Sequence, residues 1–161
     1  TAVFRCAKLA QVNRVIVASS GLAQVALEPL FAKGGPMHGR LIQIEDGIAP
    51  TSTYGASKIY AEVLAEMYAR IHGIETIAVR IGTVIPNEEE HWARGGRLQA
   101  TAFLAEDVRR FFQAAVENPL GGYLLTSAQS DSPGRFLDLE PGQSVLNWTP
   151  IKWPDNAENV Q

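Results

Sequence analysis

Two short runs constrain the fold of this chain more than anything else in it. "RVIVASS" (residues 14–20) and "ETIAVRIG" (residues 75–82) are continuous stretches rich in β-branched residues. They lack the polar alternation of a strand with one face in water, so they read as strands covered on both faces, as in a parallel sheet. Between them, Ile59, Val63 and Met67 fall at four-residue steps, and Tyr60, Leu64, Tyr68 and Ile71 widen the stripe. That spacing predicts a helix over 54–72, with Thr51, Ser52 and Thr53 as capping hydroxyls and Gly73 as the stop. The pattern then repeats, because a helical stretch over 104–116, ended by "NPLGG", leads into a third strand, "YLLTSA". Strand, helix, strand is the mark of right-handed crossovers. The expected fold is therefore α/β, a parallel sheet of about three strands with flanking helices.

The remaining segments say less. Val3, Phe4, Ala7 and Ala10 share a helix face ahead of the first strand, flanked by Leu9 and Val12. Residues 21–50 are mixed, with "KGGPMHG" as a turn cluster and "RLIQI" as a short extended piece. "TVIPNEEEHWARGGR" reads as an irregular polar loop. With 161 residues and 46% hydrophobic content, the chain has the material for one domain, spanning residues 1–161, with a real core. Three strands nevertheless make a narrow sheet. The first would leave a long apolar edge unpaired, which natural sheets avoid, so a further neighbour is expected beside it.

Composition excludes several functions. A formal charge of −3 with scattered Lys and Arg supplies no basic stripe, so nucleic acid is not an expected partner. No apolar run reaches the roughly 18 residues of a membrane span, and no membrane association is expected. The single cysteine, Cys6, cannot form an internal disulfide. It reads as a small buried apolar side chain, and the setting as reducing and cytoplasmic. His38, His72 and His91 lie far apart with no cysteine partner, so no metal site is expected. Glu88 to Glu90 reads as a solvated run. Glu106 and Asp107 are adjacent and point in different directions on a helix. Trp148 and Trp153 read as cover for apolar surface, and Trp92, in a polar loop, is also a candidate for stacking on a sugar.

One stretch carries chemistry. In "TSTYGASKIYAE" a tyrosine, Tyr54, stands four residues ahead of a lysine, Lys58, at the opening of the second helix. Residues four apart share a helix face, so the ammonium can approach the phenol or a ligand beside it. A nearby cation favours phenolate over phenol, and such a group can take a proton from an alcohol while hydride leaves the same carbon. A third hydroxyl, Ser20 or Ser19 at the end of "RVIVASS", would hold the substrate oxygen. In open parallel sheets ligands bind outside the carboxyl ends of the strands, where these serines, Tyr54 and Gly82 would converge.

Taken together, "AQVNRVIVASS", "YGASKIYAEVLAEMYARIHGIETIAVRIGTV", "FLAEDVRRFFQAAVENP" and "LNWTP" resemble the extended short-chain dehydrogenase/reductase family, the NAD-dependent sugar epimerases and dehydratases. Within it, "RIGTVIPNEEEHWARGGRLQATAFLAEDV" is most similar to uronate dehydrogenases. The resemblance implies a partial Rossmann-like sheet and NAD as cofactor. It also implies Tyr54 as catalytic acid/base, Lys58 as the residue that favours its phenolate and bonds the nicotinamide ribose, and Ser20 as the substrate-orienting hydroxyl. Ala18, Ser19, Ile81 and Gly82 would approach the cofactor, and Arg97, with Arg94 as a rival, would grip a substrate carboxylate. The family's glycine-rich pyrophosphate turn does not occur in the 161 residues. The chain is therefore expected to correspond to the C-terminal portion of such an enzyme, with the N-terminal nucleotide-binding half absent. Between Ser20 and Tyr54 the chain is longer than the family's usual interval, with "FAKGGPMHGRLIQ" looking inserted. Expected partners are a small-molecule sugar and, through the unpaired sheet edge, a second copy of the chain. The implied activity is oxidation of a sugar or sugar acid, with nucleotide-sugar epimerisation or dehydration and a non-catalytic, self-associating domain as alternatives.

Overall fold

The computed structural model describes residues 1–86, 95–151 and 153. In chain order the elements are α1 (Ala2–Leu9), β1 (Arg14–Ser20), α2 (Glu28–Phe31), α3 (Thr53–His72), β2 (Glu75–Ile81), β3 (Thr83–Ile85), α4 (Gly96–Ala100), β4 (Ala102–Leu104), α5 (Ala105–Glu117), β5 (Tyr123–Ala128) and α6 (Glu140–Leu146). The three runs expected as strands form one parallel sheet in the order β1, β2, β5. The register aligns Ser20, Ile81 and Ala128, so all three strands end together.

Strand β2 is central, and its side chains feed two cores. Ile77 and Val79 point to one side, where Leu124 of β5, Phe111 and Ala115 of α5, Leu146 of α6 and Trp148 cover them. The Phe111 and Trp148 rings meet edge-on with centroids 5.0 Å apart. Ala78 points to the other side, against Ala65 and Tyr68 of α3 and Phe4 of α1, whose ring stacks on Tyr68 at 4.8 Å. Each large apolar side chain so buried contributes about 1.5–3 kcal/mol. Arg14 ties the layers at the opposite end of the sheet. It pairs with Glu75 at 2.7 Å and donates to the carbonyls of Ala115, Val116 and Asn118. A cation there satisfies carbonyls left open at the end of α5.

Several expectations are corrected. The stripe expected to bury α3 is only partly the buried one: Tyr68 is buried and Leu64 and Met67 pack against the core, but Tyr60, Val63 and Ile71 are exposed while Gly55, Glu62, Ala65 and Ala69 face inward. Small residues on the inner face let the helix sit close to the sheet, which a row of large side chains would prevent. β1 is only half-buried, because among the described residues it pairs with β2 alone. Cys6 is exposed, not buried. "RLIQI" forms no strand, only an isolated bridge from Ile42 to Leu137. The polar loop expected after β2 contains β3, which pairs in parallel with β4 as a second small sheet. Trp148 is buried as expected. Glu88 to Glu90, His91, Trp92 and Arg94 lie outside the described residues.

Candidate active site

Helix α3 begins where it does because Ser52 caps it, its Oγ accepting the Gly55 N–H at 3.2 Å. Gly55 then sets how closely the helix approaches the sheet. A Cβ at that position would lie 2.8 Å from the Leu22 carbonyl oxygen and 3.0 Å from Pro50 Cβ. Only glycine lets the first turn of α3 rest on the turn that follows β1. Tyr54 is thereby brought to the same cleft as Ser20.

Lys58 lies one helical turn beyond Tyr54. Its Nζ donates to the Ala18 carbonyl at 2.8 Å and stands 5.4 Å from the centre of the Tyr54 ring. One turn further along α3, the buried Glu62 accepts from Ser19 Oγ at 2.5 Å and takes Arg80 Nε and Nη2, both at 2.9 Å. Two successive turns of α3 are thus tied to two successive residues of β1, and both ties lie just short of Ser20. The helix can neither rotate nor slide against the strand without breaking one of them. This fixes phenol, ammonium and serine relative to one another.

The cleft, about 170 Å³, opens at the carboxyl ends of the strands and is lined by Ser20, Tyr54, Ile81, Gly82, Thr83 and Arg97, among others. Such a volume is below the roughly 300–1,000 Å³ typical of ligand clefts and cavities. Tyr54 is half-exposed at its mouth. Ser20 Oγ accepts the Leu22 N–H at 3.2 Å, which leaves its own hydrogen to donate. Thr83 and Thr101 also line the cleft; their hydroxyls are 2.9 Å apart, and Thr101 Oγ1 donates to the Arg97 carbonyl.

The positions singled out in the sequence divide into three groups. Ser20, Tyr54, Ile81, Gly82 and Arg97 line the cleft together. Lys58 and Ala18 flank it through their mutual hydrogen bond. Ser19 does not reach it by its side chain, which is turned into the buried contact with Glu62. Gly82 owes its identity to packing within the chain, since a Cβ there would lie 2.4 Å from the Thr101 carbonyl oxygen. Arg97 is not free: its guanidinium is paired in bidentate fashion with Glu28 of α2, and that hydrogen bonding raises its pKa further. Glu28, Thr83 and Thr101 were not singled out. Thr83 carries the signal of directly following the strand-ending Gly82, whereas Glu28 pairs with a residue 69 positions away and carries none. Among the described residues no group of three or more His, Cys, Asp or Glu could hold a metal ion. Asp107 is fully buried and accepts from Ser130 Oγ and the Ile151 N–H, apart from Glu106, which pairs with Arg109. No described helix is long and apolar enough to cross a membrane.

A half-exposed phenol beside an ammonium, with a hydroxyl donor lining the same cleft, can accept a proton from an alcohol and hold the oxygen it leaves. The sequence profile of the NAD dependent epimerase/dehydratase family matches residues 1–118. The chain is 28% identical over 136 residues to the uronate dehydrogenase of Pseudomonas syringae pv. tomato, covering 84% of this chain and 44% of that protein. It is 30% identical over 130 residues to the L-arabinose 1-dehydrogenase (NAD(P)(+)) of Haloferax volcanii, covering 74% and 48%. A solved structure of a mutated uronate dehydrogenase superposes with a TM-score of 0.76 at 27% identity, over 93% of this chain and 49% of that one. The chain spans about half the length of these relatives. With the profile match extending over most of its residues, this chain belongs to the NAD dependent epimerase/dehydratase family.

Proposed function

We propose that the chain carries the proton-transfer side of an NAD-dependent oxidoreductase acting on a sugar or sugar acid. The observation that supports this best is the placement of Tyr54, Lys58 and Ser20 around the carboxyl end of β1. In this reading the Ser20 hydroxyl holds the oxygen of the reacting sugar alcohol. Tyr54 takes its proton as the C–H bond breaks and a carbonyl forms; at the anomeric carbon of a sugar ring the product is a lactone. NAD, when bound, accepts the hydride.

The residues present fit such a cofactor. Lys58 uses one of its three N–H donors on the Ala18 carbonyl, which leaves two for the hydroxyls of a ribose. Ile81 and Gly82 also line the cleft, where Gly82 adds no side chain. Ser19 would contribute through its backbone only. Relatives named for uronic acids and for a neutral pentose make both sugar classes candidates.

Because the chain spans about half the length of its relatives, the test uses the longest translation product of its gene. Incubated with NAD and a panel of uronic acids and aldoses, it should accumulate NADH in step with lactone. Conversion of a nucleotide sugar without net NADH would instead support an epimerase or dehydratase of the same family. A rival of another kind rests on the outer edge of β1, which is unpaired among the described residues. A second copy of the chain could pair there in a domain without redox turnover. Light scattering combined with an NAD titration separates the two, since a dimer that binds no NAD and oxidises no sugar would favour the rival.

A further inference from the structure

Among the described residues, Arg97 is the only basic side chain lining the cleft, and Glu28 already occupies it. Arg97 Nε donates to Glu28 Oε2 at 2.7 Å and Nη2 to Oε1 at 2.8 Å, so both donors on one edge of the guanidinium are in use. A substrate carboxylate would take the same edge in the same way. Glu28 is the better seated of the two, its side chain 13% exposed against 48% for Arg97. Building on the reading of this cleft as a sugar site, we propose that Glu28 determines specificity. It fills the arginine edge that a uronic acid needs, so that the site selects neutral sugars over sugar acids.

A uronic acid has two ways in, and both are unfavourable. Displacing Glu28 leaves a largely buried carboxylate unpaired beside a second carboxylate, with one cation between them. Binding elsewhere in the cleft leaves the acid's own charge with no basic side chain in the lining, since Lys58 only flanks the cleft and in this reading serves the cofactor ribose. A carboxylate fixed to the protein also competes at an effective concentration of roughly millimolar or above. A neutral sugar meets none of these costs.

The hydroxyls point the same way. Thr101 Oγ1 gives its hydrogen to the Arg97 carbonyl, so Thr83 Oγ1 donates to Thr101 and keeps its lone pairs for the cleft. The wall formed by Glu28 and Thr83 is therefore rich in acceptors. It suits the O–H donors of a sugar and not a carboxylate, which has only acceptors to offer.

D-galactose and D-galacturonate, alike except for a hydroxymethyl group or a carboxylate at C6, are the probes. Binding is followed by the NMR signal of the Arg97 Nε–H together with the backbone amides, so no turnover is required. The parent chain should bind galactose at least about tenfold more tightly than galacturonate. In Glu28→Gln the galacturonate affinity should rise by about tenfold or more, with the Arg97 Nε–H signal moving during the titration. Glu28→Ala should repeat the result and guards against a defect particular to glutamine. Galacturonate binding as tightly as galactose to the parent, or an unchanged preference in both variants, would overturn the role of Glu28 while leaving a sugar site in place. Binding of neither sugar to parent or variants would overturn the sugar reading and this proposal together.

Discussion

Two of the bidentate arginine–glutamate pairs among the described residues have nearly the same geometry in very different surroundings. Arg80 and Glu62 meet at 2.9 Å beneath the sheet, with side chains 2% and 5% exposed. They join β2 to α3, and Ser19 adds β1 to the same carboxylate. Arg97 and Glu28 meet at 2.7 Å at the cleft and join two short helices, α4 and α2. The first pair has no exchange partner, since solvent and ligands cannot reach it and every element it touches is held by the core. The second faces a space that a ligand can enter. Distance alone therefore says nothing about role; access and the stiffness of the supporting elements decide it. The buried pair keeps the phenol, ammonium and serine in register, and the cleft pair meets whatever enters beside them.

That contrast can be broken by substitution, most severely inside. Glu62→Gln leaves the Arg80 charge buried and uncompensated and should cost about 3–5 kcal/mol, read as a large fall in the urea midpoint or as loss of folding. Replacing both partners with apolar residues, Glu62→Leu with Arg80→Met, should recover much of that loss, because the desolvated charges are then gone. Gly82→Ala comes next. The new methyl group would force the Thr101 carbonyl away and should cost about 1–3 kcal/mol, and it should also weaken sugar binding by shifting the Thr83 and Thr101 wall. Glu28→Gln should alter stability by no more than about 1 kcal/mol while changing ligand preference, the reverse of the Glu62 result. The smallest effect belongs to a surface pair on α3: Glu66→Ala removes a contact to Arg70 at 3.9 Å and should stay within about 0.5 kcal/mol by the same denaturation measurement.

Much of this molecule is legible in its sequence, and the unread parts share a cause. The parallel sheet could be read because β2 is covered on both faces and so has no polar alternation, and the start and stop of α3 because Ser52 and Gly73 act locally. Tyr54 and Lys58 could be paired because helical spacing alone puts them together. The inner face of α3 was only partly legible, Tyr68 being buried as expected, because close packing against the sheet favours Gly55, Ala65 and Ala69, which carry little hydrophobic signal, over Val63 and Tyr60, which carry much. Strands β3 and β4 are three residues each, too short for periodicity to show, and they exist through pairing with one another. Neither Glu62 meeting Arg80 nor Glu28 meeting Arg97 follows from local pattern, since a long-range ion pair leaves no trace in the residues around it. The same blindness hid that Arg97, which lines the cleft, arrives with its own carboxylate.

The central claim is that Tyr54 moves the proton in the cleft shared with Ser20. Its most direct test is the turnover of Tyr54→Phe in the longest translation product, measured as sugar-dependent NADH formation alongside NAD affinity. Removing only the hydroxyl should cut turnover by about a hundredfold or more, while NAD affinity changes by no more than about threefold. A Phe variant that oxidises sugar at the parent rate would contradict it.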